Sequence, residues 1–150
     1  MNVFVTVGTT EFSNLIKNVD LKIGQMDQYD VEAQIGTSKY IPKYINYYRY
    51  TDYMADRIEW ADIVITHGGA GTVYDLLEKQ KKTIVVPNPN VRGNHQIEIA
   101  NFVNENNFAI ALRNQEGLLD ALSDCKNKSF ESYSNNSDDL INFLAKKINR

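Results

Sequence analysis

The chain has 150 residues, 43% hydrophobic and 23% charged, with a formal net charge of -3. This is the composition of one soluble globular domain, and the acidic balance argues against a nucleic-acid partner, which needs a basic face to neutralise phosphates. Its single cysteine, Cys125, excludes an internal disulfide and fits a reducing compartment.

Residues 2–7, apolar and β-branched, predict a first strand, closed by the turn Gly8-Thr9-Thr10. Phe12, Leu15, Ile16 and Val19 follow at helical spacing, with Gly24 as a stop. Residues 29–36 predict a second strand, 37–46 a loop, and 47–50 a short third strand. Asp52 is placed to cap a helix from Tyr53 to about Trp60, with Met54, Ile58 and Ala61 inward. Tyrosines crowd this region, at 40, 44, 47, 48, 50 and 53. They fit either amphipathic packing of loop and strand or a surface that docks on another protein.

Ile63-Val64-Ile65-Thr66 predicts a buried parallel strand; His67, Gly68, Gly69 and Gly71 follow at once, and a helical pattern with Val73, Leu76 and Leu77 inward begins at Thr72. Strand, glycine-rich turn and helix in that order let backbone N–H groups approach a ligand and aim a helix's positive end at it, which suits a phosphate or diphosphate. A further strand over 83–86 ends at Pro87, and the turn-rich loop 88–94 leads into a helix from His95 to about Asn106. Residues 108–112 predict the last strand, and 116–123 a helix. The expected organisation is a Rossmann-like domain over 1–125, a polar linker over 126–137 and a C-terminal amphipathic helix over 138–150. No secretory segment or membrane span is expected.

Alternating strands and helices predict an α/β fold, a parallel sheet with helices on both faces. Ligands bind such sheets at the carboxyl ends of the strands, where the turns at 8–10, 67–71 and 88–94 all fall. A nicotinamide site fits poorly: the third glycine of the usual fingerprint is missing and no acidic residue stands near position 90. The nucleoside-triphosphate loop is absent too, and two histidines with one remote cysteine make a metal site unpromising. Without a cation, the amides around Gly71 are the available source of positive charge for a diphosphate. Asn94, His95 and Gln96 open a second ligand-facing helix with amide and imidazole groups that suit sugar hydroxyls.

His67-Gly68-Gly69-Ala70-Gly71-Thr72, Val85-Val86-Pro87-Asn88-Pro89 and Asn94-His95-Gln96 together resemble a group of inverting glycosyltransferase subunits. These match the C-terminal, donor-binding half of the two-domain GT-B architecture. They include the cytosolic subunit of the eukaryotic dolichol-linked N-acetylglucosaminyltransferase and bacterial subunits of capsule and exopolysaccharide synthesis. A more distant resemblance is to the peptidoglycan N-acetylglucosaminyltransferase.

The resemblance implies a UDP-sugar donor and no other cofactor or metal. Thr51 and Met54 would hold the base, Asp75 the ribose, Thr9, Thr10 and Gly68 to Thr72 (with Gly69, Ala70 and Gly71) the diphosphate, and Asn94, His95 and Gln96 the sugar. It also implies a membrane-anchored partner subunit that binds a lipid-linked sugar acceptor and recruits a cytoplasmic chain to the membrane. His67 and Glu11 are the candidate general bases. A bulky residue at Gly69 is expected to block the phosphate cradle and leave the fold intact. A binding module of the same fold that performs no transfer is the alternative.

Overall fold

The computed structural model describes residues 1–91, 93 and 95–133; the helix expected over 138–150 and the last four residues of the run 126–137 lie outside the described residues. Among these, strands and helices alternate: β1 (Asn2–Thr6), α1 (Ser13–Lys22), β2 (Asp30–Gln34), β3 (Asn46–Tyr48), α2 (Met54–Trp60), β4 (Ile63–Thr66), α3 (Ala70–Glu78), β5 (Lys82–Val85), α4 (His95–Glu105), β6 (Ile110–Ala111) and α5 (Leu118–Asn127). The strands form one sheet in the order β3-β2-β1-β4-β5-β6, every pair parallel. The chain winds outward from β1 to β3, then returns to lay β4 on the other side of β1. The crevice between the ends of β1 and β4 is therefore the topological switch point.

Alternation along the central strands divides the core between two faces. Val3, Val5, Ile63 and Ile65 pack with Leu15, Ile16 and Val19 of α1 and Leu118, Leu122 and Cys125 of α5. Phe4 and Val64 face the other way, against Ile58 of α2 and Leu76 of α3, and Val73, Leu77, Ile99 and Val103 join α3 to α4. The period-two pattern of strands buried on both faces thus accounts for the near-continuous apolar runs. Burial raises the Cys125 thiol to a pKa of about 11, so this residue belongs to the core.

Several boundaries depart from expectation. Asp52 does not cap α2; the Thr51 hydroxyl accepts from the Tyr53 N–H at 3.0 Å instead. β3 starts and ends earlier, at Asn46 and Tyr48. α3 begins two residues sooner, at Ala70. α5 continues through Asp124 to Asn127, and Tyr133 returns to bury itself against Phe108.

The loop from 37 to 45 is not loosely held. Asp20 of α1 is fully buried, and its carboxylate accepts from the Tyr40 hydroxyl at 2.5 Å and the backbone N–H groups of Lys43, Tyr44 and Ile45 at 2.9, 2.8 and 3.2 Å. The hydrogen bond to Asp20 holds the Tyr40 phenol up at about 12. A buried carboxylate persists only when its lone pairs are satisfied, and here the donors all come from one loop. Asp20→Ala leaves those donors without their acceptor and is expected to lower stability by roughly 3 kcal/mol, read as a shift in the urea unfolding midpoint.

Candidate functional site at the sheet switch point

Four loops meet at the carboxyl edge of the sheet. After β1 the chain turns through Gly8 at a φ of 61°, and after β4 through Gly68 at 90°. Between these turns sits the ring of His67. A Cβ on Gly8 would lie 3.2 Å from His67 Cε1, and a Cβ on Gly69 2.8 Å from Nε2. The imidazole is thus clasped by two residues that leave it room only because they have no side chain. His67 is 6% exposed and shares a hydrogen bond with the Thr6 backbone; burial, the larger effect, pushes its pKa below the ordinary value.

This arrangement corrects the expectation for Gly69. A side chain there strikes His67 before it reaches any ligand, so Gly69 substitution perturbs the local fold and the site together. Gly71 is different: a Cβ on it meets nothing within 4 Å, and the residue is exposed. It lies in the first turn of α3, whose N-cap, Gly69, supplies no side-chain hydrogen bond. Val73 N–H makes the first helical bond, to the Gly69 carbonyl at 3.0 Å. The N–H groups of Ala70, Gly71 and Thr72 are therefore the uncapped donors of this helix among the described residues. Thr9 is exposed across the crevice on the β1 side, whereas the Thr10 hydroxyl donates to the Val7 carbonyl at 2.8 Å and fixes the turn.

The loop after β5 is tied to this mouth. Asn88, buried, donates through Nδ2 to the Glu11 carbonyl at 2.8 Å, and its own N–H donates to Gln96 Oε1 at 2.8 Å. Gln96 also lies against Gly68, where a Cβ would be 3.5 Å from its backbone oxygen. The expectation that Gln96 offers both donor and acceptor to a sugar is thereby narrowed: Oε1 is committed to Asn88, and Nε2 is the group left for a ligand. His95 is exposed beside it; Asn94 lies outside the described residues.

Glu11 is engaged elsewhere. Its carboxylate accepts from the Ser13 backbone N–H at 2.8 Å and from the Ser13 hydroxyl, capping α1. The hydrogen bond to the Ser13 side chain, ahead of burial, which opposes it, holds its pKa below the usual range. Asp75 lies further along α3, with both carboxylate oxygens accepting from Lys79 Nζ at 2.9 and 2.8 Å. That pair is open to solvent and contributes little to stability. Thr51 and Met54 reach the same edge two strands out from β1, apart from the mouth.

Two residues enter the sequence reading only as motif positions, with no structural role attached. Gln34, buried at the end of β2, donates to the Gly8 carbonyl at 3.5 Å, and Asn88 staples two loops. Gln34 stands in the run Gln34-Ile35-Gly36 and Asn88 between Pro87 and Pro89, and neither motif says which loops the amide joins. A cavity of about 280 Å³ lies at the opposite pole, lined by Leu77, Lys82, Lys128, Phe130 and Tyr133 among others.

A doubly wound parallel sheet with an uncapped helix start at its switch point defines a Rossmann-like fold of the nucleotide-binding class. The model of the glycosyltransferase family 28 C-terminal domain matches residues 2–150, and the chain belongs to that family. It is 39% identical over 110 residues to the human UDP-N-acetylglucosamine transferase subunit ALG13, covering 65% of this chain and 10% of that protein. It is 32% identical over 111 residues, 70% of this chain and 30% of the relative, to a Prochlorococcus marinus UDP-N-acetylglucosamine--N-acetylmuramyl-(pentapeptide) pyrophosphoryl-undecaprenol N-acetylglucosamine transferase. The chain thus spans about a tenth and under a third of these relatives.

Among solved structures, the NMR solution structure of ALG13 aligns with a TM-score of 0.64 at 20% identity, covering 95% of this chain and 94% of that one. The crystal structure of Acinetobacter baumannii MurG aligns with a TM-score of 0.64 at 18% identity, over 98% and 46%. Both likenesses bear out the expected fold. No helix among the described residues is long and apolar enough to cross a membrane.

The lowered pKa of His67 has a consequence for stability. The unfolded chain takes up the proton near the ordinary value of 6.5 while the folded ring resists it, so stability is full above that pH and falls as pH drops toward the folded pKa. Melting temperatures from calorimetry are expected to decline between pH 7 and pH 5, and His67→Gln to flatten that slope.

Proposed function

We propose that the chain is the donor-binding, catalytic half of a metal-independent, inverting glycosyltransferase that uses a UDP-sugar. The relatives' names point to N-acetylglucosamine within the broader class of hexoses and N-acetylhexosamines. The observation that carries the proposal is the open first turn of α3 at the switch point, with three uncapped amides and free space over Gly71. Amides fixed by a helix stabilise a leaving diphosphate without reorganising, and the helix dipole adds to them.

In this scheme Thr9 and the stretch Gly68 to Thr72 hold the diphosphate. Asp75 takes the ribose, Thr51 and Met54 flank the base, and Gln96 Nε2 with His95 and Asn94 reads the sugar. The acceptor hydroxyl oxygen bonds to the anomeric carbon from the face opposite UDP. The carbon–oxygen bond to UDP breaks, and the pair of electrons leaves on the diphosphate. His67, enclosed by Gly8 and Gly69, acts as a positioning residue under the phosphate loop, and Glu11 holds the start of α1. The base that takes the hydroxyl proton is then supplied by a second, membrane-anchored subunit that also binds the lipid-diphosphate-linked sugar acceptor. Polysaccharide or lipid-linked oligosaccharide synthesis is the setting.

The commitment of both candidate bases also suits a subunit that binds the nucleotide-sugar without transferring it. Transfer by the assembled pair separates the two: product formation that depends on this chain's mouth supports catalysis, and binding with no turnover supports the alternative.

Gly71→Val tests the cradle cleanly. The added side chain enters open space and replaces the poorest helix former after proline, so the melting temperature is expected to hold or rise. UDP affinity by titration calorimetry is expected to fall at least tenfold, or about 1.4 kcal/mol. Unchanged UDP binding in a folded Gly71→Val protein would place the diphosphate elsewhere.

A further inference from the structure

The sheet edge beside α1 presents a second surface, away from the mouth. Between Glu32 and Asp52 the sequence has no acidic residue, yet it carries Lys39, Lys43 and Arg49 in a chain of net charge -3. In the same stretch Ile41, Tyr44 and Tyr47 are 45, 51 and 42% exposed, and Leu21 of α1 is 43% exposed on the turn that carries Asp20. Lys39 and Lys43 are exposed between them, and Lys17 stands one turn before Leu21 on α1.

This exposure is built, not incidental. The four hydrogen bonds to Asp20 fix Tyr40 and residues 43–45, and Ser38 and Arg49 brace the start of the loop. The Ser38 hydroxyl donates to the Tyr40 carbonyl at 2.9 Å, and Arg49 donates to the Gly36 and Ser38 carbonyls at 2.9 and 3.1 Å. Pro42 and Ile45 are buried by the same framework, leaving Ile41, Tyr44 and the two lysines pointing to solvent.

We propose that this edge binds the surface of an anionic phospholipid bilayer. The choice rests on how charge and apolar surface are interleaved. The cores of protein–protein interfaces are depleted of lysine, because desolvating an ammonium without a fixed partner is costly. At a headgroup layer that penalty is absent. Lysine stems lie along the apolar surface with their ammonium groups among phosphates, while tyrosine and isoleucine enter the boundary region. Each basic residue near such a surface adds attraction that salt screens. A rigid, shallow patch of this size gives weak, reversible attachment. It needs neither the donor site nor a nucleotide.

The test is co-sedimentation of the full chain with phosphatidylcholine vesicles, with and without phosphatidylglycerol. Binding is expected only to the anionic vesicles, with release by added salt. Lys39→Glu with Lys43→Glu, and separately Ile41→Ser with Tyr44→Ser, are each expected to reduce the bound fraction constant about tenfold or more. Lys39→Arg with Lys43→Arg is expected to retain binding, which ties the loss in the Glu pair to charge; melting curves on the Glu and Ser pairs check that both remain folded. Absence of wild-type binding to anionic vesicles, or undiminished binding in either the Glu or the Ser pair, overturns the proposal. So does light scattering that shows wild-type dimers dissociated by the Ser pair, which would assign the patch to a second copy of the chain.

Discussion

The site depends on one packing contact, the seating of the His67 ring between Gly8 and Gly69. β1 and β4 are neighbours only because the chain reverses its winding at this point, so their outgoing loops diverge to opposite faces of the sheet. A divergence of that kind leaves a crevice, and a crevice left unsupported would collapse or fill with water. The imidazole fills its floor. It is broad enough to touch both loops, polar enough to bond to the Thr6 backbone, and neutral at ordinary pH because it is buried. The glycines are the complement of that ring. Larger residues at either position would force the loops apart, and the amides of α3 would lose their fixed relation to Thr9.

From that contact the rest of the edge follows by stapling. Asn88 ties the loop after β5 to Glu11 on one side and Gln96 on the other. Gln34 reaches back to Gly8. Each staple consumes a side-chain polar group that sequence reasoning had left available for a ligand, or had given no role. What survives unspent among the described residues is the backbone of the first turn of α3, the Thr9 hydroxyl and the Gln96 amide nitrogen. These are hydrogen-bond donors or hydroxyls, the set that suits an anionic, oxygen-rich ligand.

The architecture was legible because the sheet is parallel and its central strands, β1 and β4, are buried on both sides. Runs such as Val3 to Val5 and Ile63 to Ile65 have no other place to go, and the helical spacing of Val73, Leu76 and Leu77 fixes α3 without ambiguity. The edges of the sheet were less legible. β3 and β6 have three and two residues, too few to set a period, and their limits depend on partners rather than on pattern. The glycine stretch was recognised as a ligand turn, but its internal division of labour was not. Gly69 answers to His67 and Gly71 to open space, and only coordinates separate them. The Asp20 anchor was invisible for a similar reason. A carboxylate at a helical position reads as a solvated face, and its four donors lie some twenty residues away in the chain.

The neutral ring and the proposed anion site are thermodynamically coupled. Burial disfavours the imidazolium, and a diphosphate held by the amides of α3 would favour it, since opposite charge at short range raises the pKa of a base. The two effects act on the same proton in opposite directions. With the mouth empty, burial prevails and acid weakens the fold; with an anion in place, part of that penalty is offset. Proton uptake and anion binding therefore reinforce each other below neutral pH, by the reciprocity that linkage requires. A catalytic base would in addition have to be reached by the acceptor, and the ring is 6% exposed. Seated against Gly8 and Gly69, the ring presents little surface through which any acceptor could reach it.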